Sequence, residues 1–397
     1  MKKTLIAFAA LSAIAGMAQA QSTVTIYGIL DANIQSLKTN VPVPAAVVPP
    51  AVASVPPAVA SVQRLTQPRI DSAGLNGSRW GIRVSEDLGG GLAAVGNLEG
   101  GLNIDTGAAG QGGLLFGRRA NVGVTSNSFG TVTLGRNSTS YDDVTSDHAM
   151  MGGSIFDPSY NFVSFNATQV QALGSITPAN VAGAVPFVSA RPGVWLGYNQ
   201  RMNNSVKYIS PNFSGFSGSA IYAFGEDKTP AVGASRSVGA NLKYANGPLL
   251  VSGGYQSEGF ARGGAAGDKP TLENAVLSVA YDFGVAKVGA GFNRAKFKDV
   301  TPTTSLAPQN EFNLSVAVPL GATTLSAGYA RSKGDDLGVS SGFGVQALYS
   351  LSKRTTLYAG LQTSKAYDKV ANRITSLAPT SNIGRTELYA AGIRHTF

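Results

Sequence analysis

The sequence predicts an all-β fold, a sixteen-stranded antiparallel barrel that crosses a membrane. Three observations carry that expectation. The chain opens on a secretory-type leader, it closes on an alternating strand that ends in Phe397, and the strands between are joined alternately by short turns and longer loops.

The leader is read first. Lys2 and Lys3 form a positive start, Thr4 to Met17 is a short apolar run, and Ala18-Gln19-Ala20 is a small-x-small cleavage site. The run is too short to span a bilayer as a helix. Residues 1–20 are therefore expected to be a signal peptide. Removing those twenty residues from 397 leaves 377, and losing two lysines takes the formal net charge from +9 to +7.

Counting back by twos from the end places Phe397, His395, Ile393, Ala391 and Tyr389 on one face, with Thr396, Arg394, Gly392 and Ala390 on the other. One apolar and one small or polar face suits a strand with lipid on one side and water on the other. The same alternation recurs along the chain. Val24, Ile26, Gly28 and Leu30 share a face; Trp80, Ile82 and Val84 oppose Arg79, Gly81 and Arg83; Leu314, Val316 and Val318 oppose Asn313, Ser315 and Ala317.

The strands are expected at 23–37, 77–86, 91–103, 114–126, 129–137, 198–209, 216–226, 236–245, 248–258, 272–282, 285–297, 311–319, 322–332, 342–351, 355–366 and 385–397. Tight connections fall at 87–90, 127–128, 211–215, 246–247, 283–284, 320–321 and 352–354, where Gly, Asn, Asp or Pro supplies the turn conformation in most cases. Short turns on one side and long loops on the other, with an even strand count, let the last strand pair with the first. Closure removes the unpaired edges that lipid forbids. The soluble alternatives, a sandwich or a β-helix, do not account for the leader, the terminal Phe and the two loop classes together.

Composition excludes other classes. The chain has no cysteine, so an exported fold cannot rest on disulfides. Its two histidines, His148 and His395, are far apart, and no Cys/His cluster can hold a transition metal. No catalytic triad, P-loop or dinucleotide fingerprint has a credible context, and Gly89-Gly90-Gly91 reads as a turn. No enzyme and no cofactor is expected. Lys and Arg are spread singly along strands, which argues against nucleic acid. Val41 to Val62 carries no charge and six prolines, so it reads as a partly polyproline-like loop.

Several stretches together carry a family resemblance. They are Ser22-Thr23-Val24-Thr25-Ile26-Tyr27-Gly28-Ile29-Leu30-Asp31-Ala32, the run Gly77-Ser78-Arg79-Trp80-Gly81-Ile82-Arg83-Val84-Ser85-Glu86-Asp87-Leu88-Gly89-Gly90-Gly91-Leu92, Gly130-Thr131-Val132-Thr133-Leu134-Gly135-Arg136, Asn203-Asn204-Ser205-Val206-Lys207-Tyr208, Pro211-Asn212-Phe213-Ser214-Gly215-Phe216, and Gly392-Ile393-Arg394-His395-Thr396-Phe397. The chain resembles the general-diffusion porins of Gram-negative bacteria, in particular the trimeric type of β-proteobacteria. The resemblance implies a homotrimer and a long third loop, here 137–197, folded into the lumen as a constriction. Two departures are visible: a long first loop at 38–76, and a third loop without the Pro-Glu-Phe-Gly-Gly-like sequence often found near its tip.

Strand parity puts Arg79, Arg83, Arg119, Arg201 and Lys207 on the lumen side. The resemblance implies a basic ladder there, with Arg79, Arg119 and Arg201 as its core. Arg136 is out of phase with Thr131, Thr133 and Gly135, so it joins the pore-lining set only from a strand end or after a bulge. Arg118 is expected near an interface or rim. The constriction loop supplies Asp142, Asp143, Asp147 and Asp157, and acids facing bases across a gap would orient dipolar solutes. Most tyrosines fall near strand ends, as an interfacial girdle requires, among them Tyr27, Tyr198, Tyr208, Tyr255, Tyr281, Tyr329, Tyr358 and Tyr389.

The function expected is passive diffusion of small hydrophilic solutes and ions across the outer membrane of a Gram-negative bacterium, with a preference for anions. The basic balance has a second use in contact with outer-membrane lipid and lipopolysaccharide. Phe397 is expected to be the signal read by the barrel-assembly machinery. A solute-specific channel and a surface adhesin using the long loops are the alternatives.

Overall fold

The computed structural model describes residues 22–43, 61–159, 193–228, 230, 233–260, 270–299, 305–365, 367–369 and 385–397. The leader 1–20 and much of the third loop, 160–192, lie outside the described residues. So do most of the Pro-rich stretch (44–60) and the 370–384 connection.

Seventeen strand segments run in chain order. They are β1 (Thr23–Val43), β2 (Ser61–Ser72), β3 (Arg79–Gly89), β4 (Leu92–Gly101), β5 (Arg119–Ser126), β6 (Gly130–Ser138), β7 (Arg201–Ile209), β8 (Phe216–Phe224), β9 (Arg236–Asn246), β10 (Leu249–Gly259), β11 (Thr271–Asp282), β12 (Lys287–Lys298), β13 (Gln309–Leu320), β14 (Thr323–Gly334), β15 (Gly338–Ser350), β16 (Thr355–Lys365) and β17 (Arg385–Thr396). All pair antiparallel in one sheet. The sheet closes where β1 meets β17, from Ile29 opposite Thr396 to Thr39 opposite Thr386.

The barrel nevertheless has sixteen strands. β3 pairs with the lower half of β1 and β2 with its upper half, so β2 and β3 are two parts of one barrel strand broken at 73–78. The break is held by Asp31, which is fully buried. Its carboxylate accepts the backbone N–H groups of Gly74, Leu75 and Asn76 at 3.0, 2.8 and 2.8 Å, and the Tyr358 hydroxyl. Replacing Asp31 by Ala strands these donors at about 1–3 kcal/mol each. A loss of about 3–6 kcal/mol in barrel stability is expected, read as a lower temperature of thermal unfolding in detergent.

The first strand differs from the expected 23–37. It continues to Val43, and its partner starts at Ser61, so the connection between them is 44–60 instead of 38–76. Twenty-one residues at roughly 3.3 Å each span about 70 Å. An apolar band needs only about 9–11 residues, so the upper β1–β2 hairpin rises beyond it. Backbone pairing carries strand structure across Pro42, because its residues meet β2 opposite Val62.

The chain end closes the barrel as its alternation requires. The Phe397 N–H donates to the Gly28 carbonyl at 3.1 Å, and the Gly28 N–H donates back at 3.0 Å. The Phe397 ring lies over Gly28, where an added Cβ would sit 2.2 Å from it. At the β3–β4 turn Gly89, Gly90 and Gly91 have φ of +81°, +61° and +78°, the left-handed region that only glycine adopts freely.

Outward positions are apolar and exposed, as at Val24, Ile26, Val122, Leu134, Leu242 and Leu314. Inward positions are polar. The inward wall of β10–β17 is covered from inside by residues 139–159, the first described part of the β6–β7 connection. Glycines let this loop lie close. A Cβ at Gly254 would meet Val144 at 2.7 Å, at Gly291 His148 at 2.4 Å, at Gly328 Met151 at 2.8 Å, and at Gly344 the Phe156 carbonyl at 1.8 Å. Tyr141, Val144, Val194, Trp195, Tyr198, Val276 and Ala330 form one buried apolar cluster; Leu75, Met151, Phe156, Tyr358 and Ala390 form another. Three expected girdle residues are thus not outward. Tyr27, Tyr198 and Tyr358 point into the barrel, because each has a polar partner there.

Candidate functional site: a basic constriction

The loop is pinned by polar contacts to the wall it crosses. The Tyr141 hydroxyl donates to Asn293 at 2.8 Å, Ser315 donates to the His148 carbonyl at 2.9 Å, and Ser154 donates to Gln346 at 2.9 Å. His148 stacks on Trp195 with ring centres 4.8 Å apart. Burial pushes the His148 imidazole down to about 4, so it packs as a neutral ring at physiological pH. The returning segment is anchored by two wall carboxylates. Glu311 accepts the Leu196 N–H at 2.5 Å, and Glu258 accepts the Asn199 N–H at 2.9 Å.

Opposite the loop, β3, β4, β5 and β7 carry the basic side chains. Glu99 on β4 is their buried acid. It accepts from Arg118 Nε at 2.6 Å and from the Tyr27 hydroxyl at 2.7 Å, with Arg79 at 3.9 Å. The Arg83 guanidinium lies over the Tyr27 ring, 4.1 Å from its centre. A cavity of about 330 Å³ is lined by Arg83, Asn97, Arg119, Asn121, Asp143 and Lys207. A second, of about 250 Å³, is lined by Asn76, Arg79, Arg118, Asp142, Gln200 and Arg201, among others. The structure therefore brings together Arg79, Arg83, Arg119, Arg201 and Lys207 on the inner wall.

Arg136 does not join them. It pairs opposite Ala120, on the outward row of Val122 and Leu134. Its Nε donates to the Gly117 carbonyl at 2.7 Å and its head reaches Asn203. A register shift does lie between Gly135 and Asn137 in the pairing with β7, but Arg136 keeps the outward phase of Leu134. Arg118 also differs from the rim position expected, since its side chain turns in to Glu99. Parity missed it because it precedes β5. Arg394 is a further inward cation, donating to Asn76 at 2.8 Å; its place on the inner row of the last strand was legible.

The acids do not face an open gap. Asp143 binds Lys207 Nζ at 2.6 Å, and Asp147 binds Lys243 Nζ at 2.9 Å. Asp142 accepts from the Tyr198 hydroxyl at 2.6 Å and from Gln200 at 3.1 Å, and burial pushes its carboxyl up from the ordinary range. Asp157 accepts the N–H and hydroxyl of Ser159 at 2.9 and 2.7 Å. Asp143 and Asp147 are thus met by wall lysines, and Asp142 by neutral donors. Arg83 and Arg119, which line the first cavity, form no ion pair with a described residue.

The pair of Asp143 with Lys207 makes a test. Lys207 is 4 % exposed, and its other partners are the Ser138 carbonyl and hydroxyl. Breaking a fully buried pair costs about 3–5 kcal/mol. Asp143 is a third exposed, so Asp143→Asn is expected to cost about 2 kcal/mol of loop seating. Single-channel recordings should then show more frequent conductance fluctuations, together with a stronger anion bias.

The comparisons with known proteins agree with this geometry. Residues 7–369 match a family model described as Gram-negative porin. An outer membrane porin protein of Bordetella pertussis is 31% identical over 307 residues, covering 74% of this chain and 69% of that protein. Outer membrane porin protein 32 of Delftia acidovorans is 32% identical over 300 residues, covering 75% and 71%. Among solved structures, an anion-selective porin from Comamonas acidovorans superposes with a TM-score of 0.69 at 27% identity, covering 95% of this chain and all of that one.

Proposed function

Because the chain belongs to the Gram-negative porin family, we propose that its outer-membrane channel is biased toward anions by the arginines of its constriction. Porins are channels for passive diffusion of small hydrophilic solutes. The observation that carries the bias is the pairing pattern. The loop acids Asp143 and Asp147 are neutralised by lysines, while Arg83 and Arg119 keep uncompensated charge beside Arg79, Arg118 and Arg201. In a narrow, low-dielectric opening each such charge acts more strongly than in open water. Similarity to an anion-selective porin supports the same reading.

Liposome swelling tests it. Uptake of small sugars should depend on size alone and should not saturate. Anions should enter faster than cations of equal size. Saturation at low concentration of one solute would instead identify a solute-specific channel.

The reading includes a homotrimer joined through the outward face of β1–β6. Large exposed aromatics on the outer wall, such as Tyr208, Phe216, Tyr281, Phe312, Tyr329 and Phe343, belong to β7–β17. On β1–β6 only Trp80 among the described strand residues is comparable. Arg136 also points outward there, which is costly against lipid and acceptable against protein. The reading further assigns Phe397 to recognition by the assembly machinery, and the outer rim to contact with lipopolysaccharide.

A further inference from the structure

We infer that the upper outer wall of β12–β14 is a binding site for a phosphorylated, acylated glycolipid of the outer leaflet, the lipopolysaccharide class. This rests on the rim contact proposed above and gives it a place. The outward row of β12 ends in Phe292, Arg294, Lys296 and Lys298. On β13 the matching positions are Asn310 and Phe312, and on β14 they are Arg331 and Lys333. Register sets Arg294 opposite Asn310, and Asn310 opposite Lys333. One row lower it sets Phe292 opposite Phe312, and Phe312 opposite Arg331. With strands about 4.8 Å apart and rows about 6.7 Å apart, Arg294, Arg331 and Lys333 lie within about 12 Å of each other.

One acid, Asp335, stands among these cations at the edge of a surface cavity. Glu273 is held by Lys298 at 2.6 Å. Arg294, Lys296, Arg331 and Lys333 form no ion pair with a described residue. On another wall at this height, Arg64 and Arg385 both bind Glu387. The patch also has a shape. A surface cavity of about 780 Å³ is bounded by Arg294, Asn310, Lys333 and Asp335 above and by Phe292 and Phe312 below. The two rings meet at 5.0 Å.

Guanidinium and ammonium groups just above an aromatic pair suit a ligand with phosphate at the head and hydrocarbon beneath it. The position suits it too. The cations lie at the long-loop end of the barrel, on the aromatic-rich wall and away from β1–β6. A free anion would use the cations and leave the rings idle.

The test uses full-length protein refolded in neutral detergent, free of bacterial lipid. Native mass spectrometry measures retention of the diphosphorylated lipid anchor of lipopolysaccharide and of its dephosphorylated form. The variant is Arg294→Gln with Arg331→Gln and Lys333→Gln. The control is Lys38→Gln with Lys365→Gln and Arg385→Gln, which removes equal charge from the same height on another wall. At about fivefold for each of the three cations, the variant is expected to bind the phosphorylated anchor about 100-fold more weakly. The control should change a few-fold at most, and the dephosphorylated anchor should bind weakly to every form. An unchanged channel conductance of the variant would exclude misfolding, because these side chains face away from the lumen. Equal losses in variant and control, or indifference to the phosphates, would overturn the site while leaving general rim contact standing. No retention by the unaltered protein would overturn both.

Discussion

Replacing Arg79 and Arg119 together by glutamate is expected to turn an anion-favouring channel into a cation-favouring one. Both side chains line cavities beside the constriction loop. The acid already nearby, Glu99, is held by Arg118 at 2.6 Å, so it cannot neutralise further charge without losing that partner. At an effective dielectric of about 20, a unit charge about 8 Å from a passing ion changes its energy by about 2 kcal/mol. Each Arg→Glu exchange doubles that change. Screening over a Debye length of about 10 Å at 0.1 M salt reduces it without altering its sign. The zero-current potential should therefore reverse, most strongly at low salt. Arg136→Glu changes the chain's charge by the same amount per site, but on the outward row, and should leave the potential where it was. A double variant that keeps the original sign would remove Arg79 and Arg119 from the selectivity mechanism.

The second large effect concerns how the constriction is seated. Gly291→Leu with Gly344→Val should open the channel without dismantling the barrel. A Cβ at these sites would stand 2.4 Å from the His148 ring and 1.8 Å from the Phe156 carbonyl. Overpacking costs about 1–3 kcal/mol at each position. The strand backbones are paired on both sides, whereas the loop is held mainly by its own packing and a few hydrogen bonds. The loop is the element that yields. Single-channel conductance should rise, and the 139–159 segment should become sensitive to protease. Gly253→Leu places a comparable side chain on the outward face of β10, where the nearest atom to a Cβ is at 3.6 Å, and should leave conductance unchanged. Equal conductance in all three proteins would mean that this loop does not set the width of the channel.

The barrel was largely legible because a strand with lipid outside and water inside must alternate, and one register slip would expose every wrong side chain. That rule placed Arg79, Arg83 and Lys207 inward, and it located most strand ends within a few residues. It failed where backbone pairing or tertiary contact overrides local pattern. Pro42 belongs to β1 because β2 lies against it, although proline is a poor strand residue. Arg118 precedes its strand and so has no parity; only the carboxylate of Glu99 across the sheet explains its direction. Arg136 is the converse: it keeps the outward phase that plain alternation gives it, and the bulge beside it does not bring it into the pore. The four loop aspartates looked alike in sequence. Lysines on β7 and β9, far off in the chain, pair with Asp143 and Asp147, whereas Asp142 meets the Tyr198 hydroxyl. The glycine seat was invisible for the same reason. A glycine at an inward position reads as a weak strand residue until the loop crossing it is known.

The zero-current potential of the unaltered protein, refolded and placed in a planar bilayer under a salt gradient, tests the central claim most directly. Uncompensated Arg83 and Arg119 beside loop acids already paired to lysine predict stable conductance steps and a potential of the sign that favours anions, decreasing in size as salt rises. A potential of the opposite sign from well-folded channels would contradict the account. It would mean that the loop carboxylates, not the wall arginines, govern the constriction.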